Sequence, residues 1–335
     1  MKFSAILMAA LCSSFTFAQA PRACSAAAHY KIIPLPLQPV RINNSGMIAG
    51  TTARIDEDHK PALWTEKDGL RVIDLPEGFT GAEPHAINTS GEIVGTASRE
   101  ESQLPYAFKY QDGKFSLLTE DRAKAMAVSD SGDIAGQIGE KLTLWSNGKA
   151  TSLGGCCGGI VDAMNDHEVL GQVNDKEGHY SAFVWDHSQG LHSIAPVNAA
   201  TSIARAMNHS GHIMLQSFTP NAISILREGK TIPVTLSAEY ASQPLGFNDC
   251  DVVVGEYGAS SEWDHAFLWD EKGGLRDLNT LIDSGSQWTL ESALDINDRG
   301  EIIGVGDRGG EQDVGFLLIP DVQTINHKEH EGTRR

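Results

Sequence analysis

The sequence predicts an all-β fold, a seven-bladed β-propeller with four-stranded blades. A short turn motif recurs seven times along the chain, and a second strand pair follows each copy. Stretches with helical periodicity are nearly missing after the first twenty residues. A period of about 40–50 residues with strand-like content is typical of propeller blades.

The first copy of the motif spans residues 42–50 and reads INNSGMIAG. Its second position recurs at seven places, here called the motif positions: Asn43, Asn88, Ser129, Asn165, Asn208, Asn248 and Asn297. Their spacings are 45, 41, 36, 43, 40 and 49 residues. The fourth copy is one residue shorter and lacks the glycine, and Asp251 replaces that glycine in the sixth.

Each copy predicts a tight β-hairpin. Asn or Ser at the first position of a turn can bond the backbone two residues on. Glycine three positions later suits the left-handed conformation that closes such a turn. A second hairpin follows, with strands such as ALW at 62–64 and AFLW at 266–269. Two hairpins per repeat make one four-stranded blade.

The ends of the chain predict how the ring closes. The last repeat stops after residues 315–319, one strand short, and an unassigned strand-like segment lies at 29–35. We expect this N-terminal strand to complete the last blade, which removes an open sheet edge. The propeller then spans residues 29–322, followed by a polar tail at 323–335. Two positions before the motif Asn, Arg41 and Asp295 carry opposite charges in blades that meet at the closure, so we expect them to pair.

The repeat resembles the HAF-repeat family of probable extracellular proteins. The family's His-Ala-Phe triplet stands here as His265-Ala266-Phe267, with variants at residues 106–108 and 181–183. The resemblance covers about residues 30–320. It implies a repeat protein outside the cytoplasm and brings no established activity.

The N-terminus predicts export. Residues 1–18 contain Lys2, an apolar stretch and small residues before a cleavage point after Ala18, as in a Sec signal peptide. Residues 19–28 form an N-terminal arm. We therefore expect a periplasmic or extracellular protein, without membrane insertion and monomeric.

The charge of the chain narrows its partners. Removing residues 1–18 leaves 25 basic against 44 acidic side chains, a net charge of −19. This balance argues against nucleic acid, which requires a basic surface. A glycan or a protein is the expected partner, and no cofactor is implied.

The cysteines suggest one covalent link. Four remain after cleavage: Cys24, Cys156, Cys157 and Cys250. An exported protein can form disulfides. Cys250 lies in the sixth turn and Cys24 just before the closing strand, so a bond between them would hold down the N-terminus. The adjacent Cys156 and Cys157 could form a vicinal disulfide.

No sequence motif identifies a catalytic site. The chain has no Gly-x-Ser-x-Gly elbow and no phosphate-binding glycine loop. His209 and His212 are more typical of a surface turn than of a metal site, and the tail pair His327 and His330 carries no structural requirement. His85, Asp162 and Arg205 occupy equivalent repeat positions, where they are expected to line the rim of the central channel.

The aromatic residues suggest a binding surface. Trp64, Trp145, Trp185 and Trp269 occupy a repeated strand position and are expected in the core. Four others are candidates for ligand contact in the links between strands: Trp263, Trp288, Tyr106 and Tyr180. The leading hypothesis is a non-enzymatic module that binds a glycan or protein on this loop face.

Two alternatives remain open. One is a carbohydrate-active or other hydrolytic enzyme with its site at the channel mouth, and the other is a structural envelope or matrix protein. Hydrogen bonding among the acid, the histidine and the arginine at the channel would favour the enzyme. A polar channel with solvent-facing Trp263 and Trp288 would favour binding.

Overall fold

The fold is a ring of seven four-stranded antiparallel sheets, as the repeat spacing predicts. The computed structural model describes residues 26–52, 60–155, 158–174, 180–194, 202–218, 221–235, 241–258 and 265–321. Within these ranges the only helix is a short 3₁₀ turn at Leu278–Leu281, which Asp277 caps. The predicted signal peptide and the tail at 323–335 lie outside the described residues, as does most of the N-terminal arm.

The strands follow the chain order blade by blade. Blade one contains β2 (Gln38–Ile42), β3 (Ile48–Thr51), β4 (Pro61–Thr65) and β5 (Gly69–Val72). Blade two contains β6 (Phe79–Ile87), β7 (Ile93–Arg99), β8 (Ser102–Gln111) and β9 (Lys114–Leu117). Blade three contains β10 (Ala123–Val128), β11 (Ile134–Ile138), β12 (Lys141–Ser146) and β13 (Lys149–Gly154). Blade four contains β14 (Gly159–Met164), β15 (Glu168–Asn174), β16 (Tyr180–Asp186) and β17 (Gly190–Ser193).

The remaining blades close the ring. Blade five contains β18 (Ser202–Met207), β19 (Ile213–Phe218), β20 (Asn221–Arg227) and β21 (Lys230–Val234). Blade six contains β22 (Ala241–Phe247), β23 (Val253–Gly258), β24 (His265–Asp270) and β25 (Gly274–Asp277). Blade seven contains β26 (Trp288–Ile296), β27 (Ile302–Arg308), β28 (Glu311–Pro320) and β1 (Tyr30–Pro34).

The N-terminal strand completes blade seven, which confirms the predicted closure. Strand β1 pairs antiparallel with β28, with Tyr30 opposite Pro320 and Pro34 opposite Phe316. The first strand of each blade lies at the centre of the ring, and β2 contacts β26 across the closure. No blade therefore depends on a bond to a second molecule for its fourth strand.

The core lies between neighbouring blades and is built from the repeated third strand. Phe108, Phe183, Phe267 and Phe316, from β8, β16, β24 and β28, are fully buried. Burying one such side chain contributes about 1.5–3 kcal/mol. Trp64, Trp145 and Trp269 are also buried, and Trp185 is half-buried against the core. This confirms that the repeated tryptophans are core residues.

The seven motif turns all lie on one face of the ring, here called the turn face. The opposite face, the link face, carries the connections from each second strand to the third and from each blade to the next. Asp251 takes the place of the turn glycine and adopts its left-handed conformation, with φ of 55°. The shorter turn of blade four closes from the Asn165 amide to the Glu168 carbonyl.

Candidate functional site

Every innermost strand contains a β-bulge at the same place, three residues before the motif position. The bulged residues are Val40, His85, Met126, Asp162, Arg205, Leu245 and Leu294. A bulge leaves one residue out of the ladder and re-aims its side chain. Three of the seven, His85, Asp162 and Arg205, have ionisable side chains. The bulges therefore put ionisable groups on the innermost strands of the ring.

The motif asparagines form the inner wall below these bulges. The Asn43 Oδ1 accepts bonds from the amides of Ser45 at 3.1 Å and Met47 at 2.9 Å, which is the predicted turn. The Asn43 Nδ2 donates to the Asn88 carbonyl of the next blade at 2.8 Å. Each amide group thus holds its own turn and the neighbouring blade together.

This bond recurs around most of the ring. It joins Asn88 to Ser129, Asn208 to Asn248, Asn248 to Asn297, and Asn297 to Asn43. Blade three lacks it because the serine side chain has no amide to donate. In blade four the shorter turn directs the Asn165 Nδ2 to the Met207 sulfur instead, at 3.9 Å. The interblade role was not predicted, although the repeated Asn was a signal for it.

A cavity of about 180 Å³ lies at the turn-face end of the channel. It extends from the bulges to the residues just after the motif positions, so it opens on the turn face. Its polar lining residues include Arg41, His85, Asp130, Asp162, His209, Asp295 and Asp298. Its apolar lining includes Met126, Met164, Met207 and Phe247.

The predicted polar cluster is only partly assembled in this cavity. His85 and Asp162 line it, whereas Arg205 is not among its lining residues. His85 Nδ1 donates to the Ala125 carbonyl at 2.9 Å, and burial lowers the pKa of the imidazole. The neutral ring therefore keeps Nε2 as an acceptor.

Asp162 is a strongly perturbed carboxyl of the cavity. Burial raises its pKa to about 7, against a bond from Gln172 Nε2 at 2.9 Å and the nearby charge of Arg205. Arg205 itself bonds Gln216 Oε1, with Nε at 2.8 Å. His85, Asp162 and Arg205 all lie in the described part of the chain, and no hydrogen bond or ion pair joins them. The arrangement expected for an acid–histidine–arginine catalytic cluster is therefore absent there.

Arg41 and Asp295, the predicted pair, form no direct salt bridge. Both residues are described, and their charged groups do not come within 4.0 Å of each other. Arg41 Nη1 donates to the Val40 carbonyl at 2.8 Å. The Asp295 carboxylate instead crosses the closure to accept the Ile42 amide at 3.0 Å. Burial raises the pKa of Asp295, and Arg41 opposes that shift only from a distance.

The candidate aromatic residues do not form one exposed surface. Tyr106 is buried, and its ring packs under Arg99 at 4.4 Å and against Phe79, so the prediction of an accessible ring there is wrong. It lies within β8, where strand alternation turns it inward. Trp288 is half-buried, with its ring edge-on to Phe316 at 6.0 Å. Tyr180 is 43% exposed, and Trp263 lies outside the described residues.

Cys250 is disulfide-bonded. Its partner lies outside the described residues, as do all the other cysteines of the chain. Cys250 and the N-terminal residues Ala26 and Ala27 pack against the same hydrophobic cluster. This neighbourhood fits the predicted bond to Cys24, two residues before Ala26, and the pairing stays a prediction.

The histidines of the fifth turn are separated by their partners. His212 Nδ1 bonds Asp251 Oδ1 at 2.7 Å, within a network that Arg227 completes. His209 lies at the channel mouth, 3.7 Å from Asp130 Oδ2.

None of the helices described here is long and apolar enough to span a bilayer.

Known proteins share the fold and not the sequence. No family model matches the chain, and no curated protein matches it. Virginiamycin B lyase from Staphylococcus aureus superposes with a TM-score of 0.58 at 11% identity, over 87% of this chain and 99% of the lyase. The β-propeller domain of the Trilobed protease from Pyrococcus furiosus gives 0.58 at 12% identity, over 89% and 95%. The β-propeller domain of Myceliophteria thermophila Cps50 (Swd1) gives 0.55 at 12% identity, over 87% and 98%. These likenesses show a β-propeller and no activity.

Proposed function

We propose that the protein is a non-enzymatic binding module that takes the end of a glycan in the turn-face cavity. The observation that carries this proposal is the mixed lining of the cavity. Residues with carboxyl groups and one arginine line the cavity together with three methionines and a phenylalanine. Ligand sites commonly combine an apolar lining with a few convergent polar groups.

A hydroxyl-rich ligand matches this lining better than a cationic one. A carboxyl with a pKa of about 7, such as Asp162, is partly protonated at neutral pH, so it both donates and accepts hydrogen bonds. Arg41 adds donors, and Asp130 and Asp298 add acceptors. Sugar hydroxyls also donate and accept, while the methionines offer an apolar surface to the ring.

The cavity replaces the loop face as the preferred site. Of the aromatic residues considered for the loop face, the described part of the chain exposes only Tyr180 to a large extent. A glycan end fits a cavity of about 180 Å³, whereas a globular partner does not enter it. The proposal includes export, directed by a signal peptide at residues 1–18, and membership of the HAF-repeat family. Both fit a module that binds glycans outside the cytoplasm.

Isothermal titration calorimetry of the mature protein against neutral, amino and acidic oligosaccharides tests the proposal. Asp162→Ala should weaken binding of the best ligand by about tenfold or more, because a hydrogen bond to a charged group contributes about 1.5–3 kcal/mol. Asp112→Ala, in the exposed turn between β8 and β9, is the matched control. Binding that is lost in Tyr180→Ala and unchanged in Asp162→Ala would place the ligand on the link face and overturn the proposal.

A hydrolytic enzyme is the second candidate, and one observation favours it. His85 and Asp162 share the cavity, one as a neutral imidazole with a fixed tautomer and the other with a pKa of about 7. General acids and bases work best when their pKa is near the operating pH. Release of reducing ends from the oligosaccharides, abolished in His85→Gln, would replace the binding module with this enzyme.

A further inference from the structure

The residues directly after the motif positions form a ring around the channel mouth, here called the rim. They are Asn44, Thr89, Asp130, Asp166, His209, Asp249 and Asp298. On one side of the rim, a ring nitrogen of His209 and carboxylate oxygens of Asp249 and Asp298 all lie within 4.8 Å of one another. These three residues come from the turns of blades five, six and seven.

Backbone bonds between blades orient the carboxylates of this group. The Asp249 amide donates to Asp298 Oδ1 at 2.8 Å, and the Ser210 amide donates to Asp249 Oδ1 at 3.1 Å. Each acid is thus fixed by the turn of the preceding blade, as outer-shell bonds orient metal ligands elsewhere. Because each carboxylate oxygen has two lone pairs, the acids can still accept a further partner.

A fourth possible donor, a carboxylate oxygen of Asp130, faces the same histidine from across the mouth. His209 Nε2 lies 3.7 Å from Asp130 Oδ2, and the His209 side chain is 55% exposed. An exposed imidazole can rotate between these carboxylates at little cost. Three donors from blades five, six and seven therefore lie together at the mouth of the cavity, and Asp130 of blade three approaches His209 from the other side.

The electrostatics of the group favour a cation. Asp249 and Asp298 are like charges whose carboxylate oxygens lie within 4.8 Å of each other. Among the described residues, no lysine or arginine forms a salt bridge with either of them. A bound cation would offset this repulsion.

We propose that His209, Asp249 and Asp298 bind a divalent transition-metal ion at the rim, with Asp130 as a further oxygen ligand. Imidazole suits zinc and related ions, and carboxylates add manganese to the range. Ligand atoms lie about 2.0–2.2 Å from zinc, so the donors must close by about 1 Å around the ion. The exposed His209 side chain can make most of that adjustment. This inference goes beyond glycan binding but shares Asp130 and Asp298 with the proposed glycan site, so metal binding is measured in the absence of glycan.

Titration calorimetry with ZnCl₂, MnCl₂ and CaCl₂ tests the site on the full secreted chain. Every form carries His327→Ala and His330→Ala, so that the tail histidines cannot bind metal. We expect one site for zinc or manganese, with affinity reduced at least tenfold in His209→Ala. His167→Ala is the matched control, because His167 occupies the exposed turn of blade four and is not part of the cluster.

The absorption spectrum of the Co²⁺ form gives a second readout. Its visible bands should change in His209→Ala and not in His167→Ala if the imidazole is a ligand. Equal zinc and manganese affinities in these two variants, or binding only at millimolar concentrations, would overturn the proposal. Calcium binding that does not depend on His209 would also overturn it.

Discussion

Replacing Asp162 with asparagine should change how stability depends on pH. The pKa of this carboxyl is about 7 in the folded protein, against an ordinary aspartate value of 3.8. Between these values the folded state holds a proton that the unfolded state has lost, so raising the pH destabilises the fold. Asparagine occupies nearly the same volume, can still accept the Gln172 bond, and does not titrate.

The magnitude follows from the two pKa values. Each pH unit within this window is worth about 1.4 kcal/mol for one group. Between pH 5 and pH 8 the wild-type protein should therefore lose about 2–3 kcal/mol of stability through Asp162 alone. The loss ends as the pH rises past the folded pKa, because the carboxyl is then ionised in both states. Asp162→Asn has no carboxyl to titrate at this position and so does not lose this stability. Its stability relative to wild type should therefore rise by about 2–3 kcal/mol over the same range.

Urea unfolding at pH 5, 6, 7 and 8, followed by tryptophan fluorescence, measures the difference. A difference in the free energy of unfolding that is the same at every pH shows only how well asparagine packs. A difference that changes with pH shows the titration of the Asp162 carboxyl. Asp112→Asn controls for the change in net charge, because Asp112 lies in an exposed turn with φ of 51°, which asparagine tolerates. A difference between Asp162→Asn and wild type that stays constant from pH 5 to pH 8 would refute the raised pKa.

Three further predictions concern the ring itself. Asn208→Ala should lower stability by about 2–4 kcal/mol, because it removes a buried bond to the Asn248 carbonyl and leaves the half-buried His212 amide without its acceptor. An unchanged urea midpoint would contradict this. Ser129→Asn should add about 1 kcal/mol by supplying the missing bond to blade four, measured in the same way; a loss of stability would show that blade three has no room for the amide. Cys250→Ser should lower the thermal midpoint, because it removes a disulfide that contributes about 2–5 kcal/mol. Reducing agent should then leave the midpoint of this variant unchanged. A further drop in the midpoint would reveal a second disulfide.

The propeller was predictable because its signals are local and repeated. A turn needs only four or five adjacent residues. The spacing of Asn43, Gly46 and the apolar residues that follow therefore predicts the hairpin without tertiary structure. Seven copies at similar spacing give the blade count, and the unpaired strand at the N-terminus predicts the closure. The same repeat alignment also contained the rim, since the residue after each motif position is an acid in four of the seven copies.

The contacts across the channel were not predictable in the same way. The interpretation of Arg41 and Asp295 as an ion pair used their opposite charges and neighbouring blades, which are correct. It did not foresee that the Asp295 carboxylate accepts the Ile42 amide, because the direction of that amide depends on the twist and bulge of the inner strands. The burial of Tyr106 depends likewise on strand β8 being long enough to include it.

The sequence by itself determined the number of blades, their turns, the closing strand and the repeated aromatic core, because each depends on residues close together in the chain or on a regular period. Which polar groups share the cavity was set by tertiary structure alone. The tertiary structure also decided that His209, Asp249 and Asp298 meet at the rim. These relations join residues 40 to more than 250 positions apart, and small differences in the register and bulges of seven strands set the distances between them.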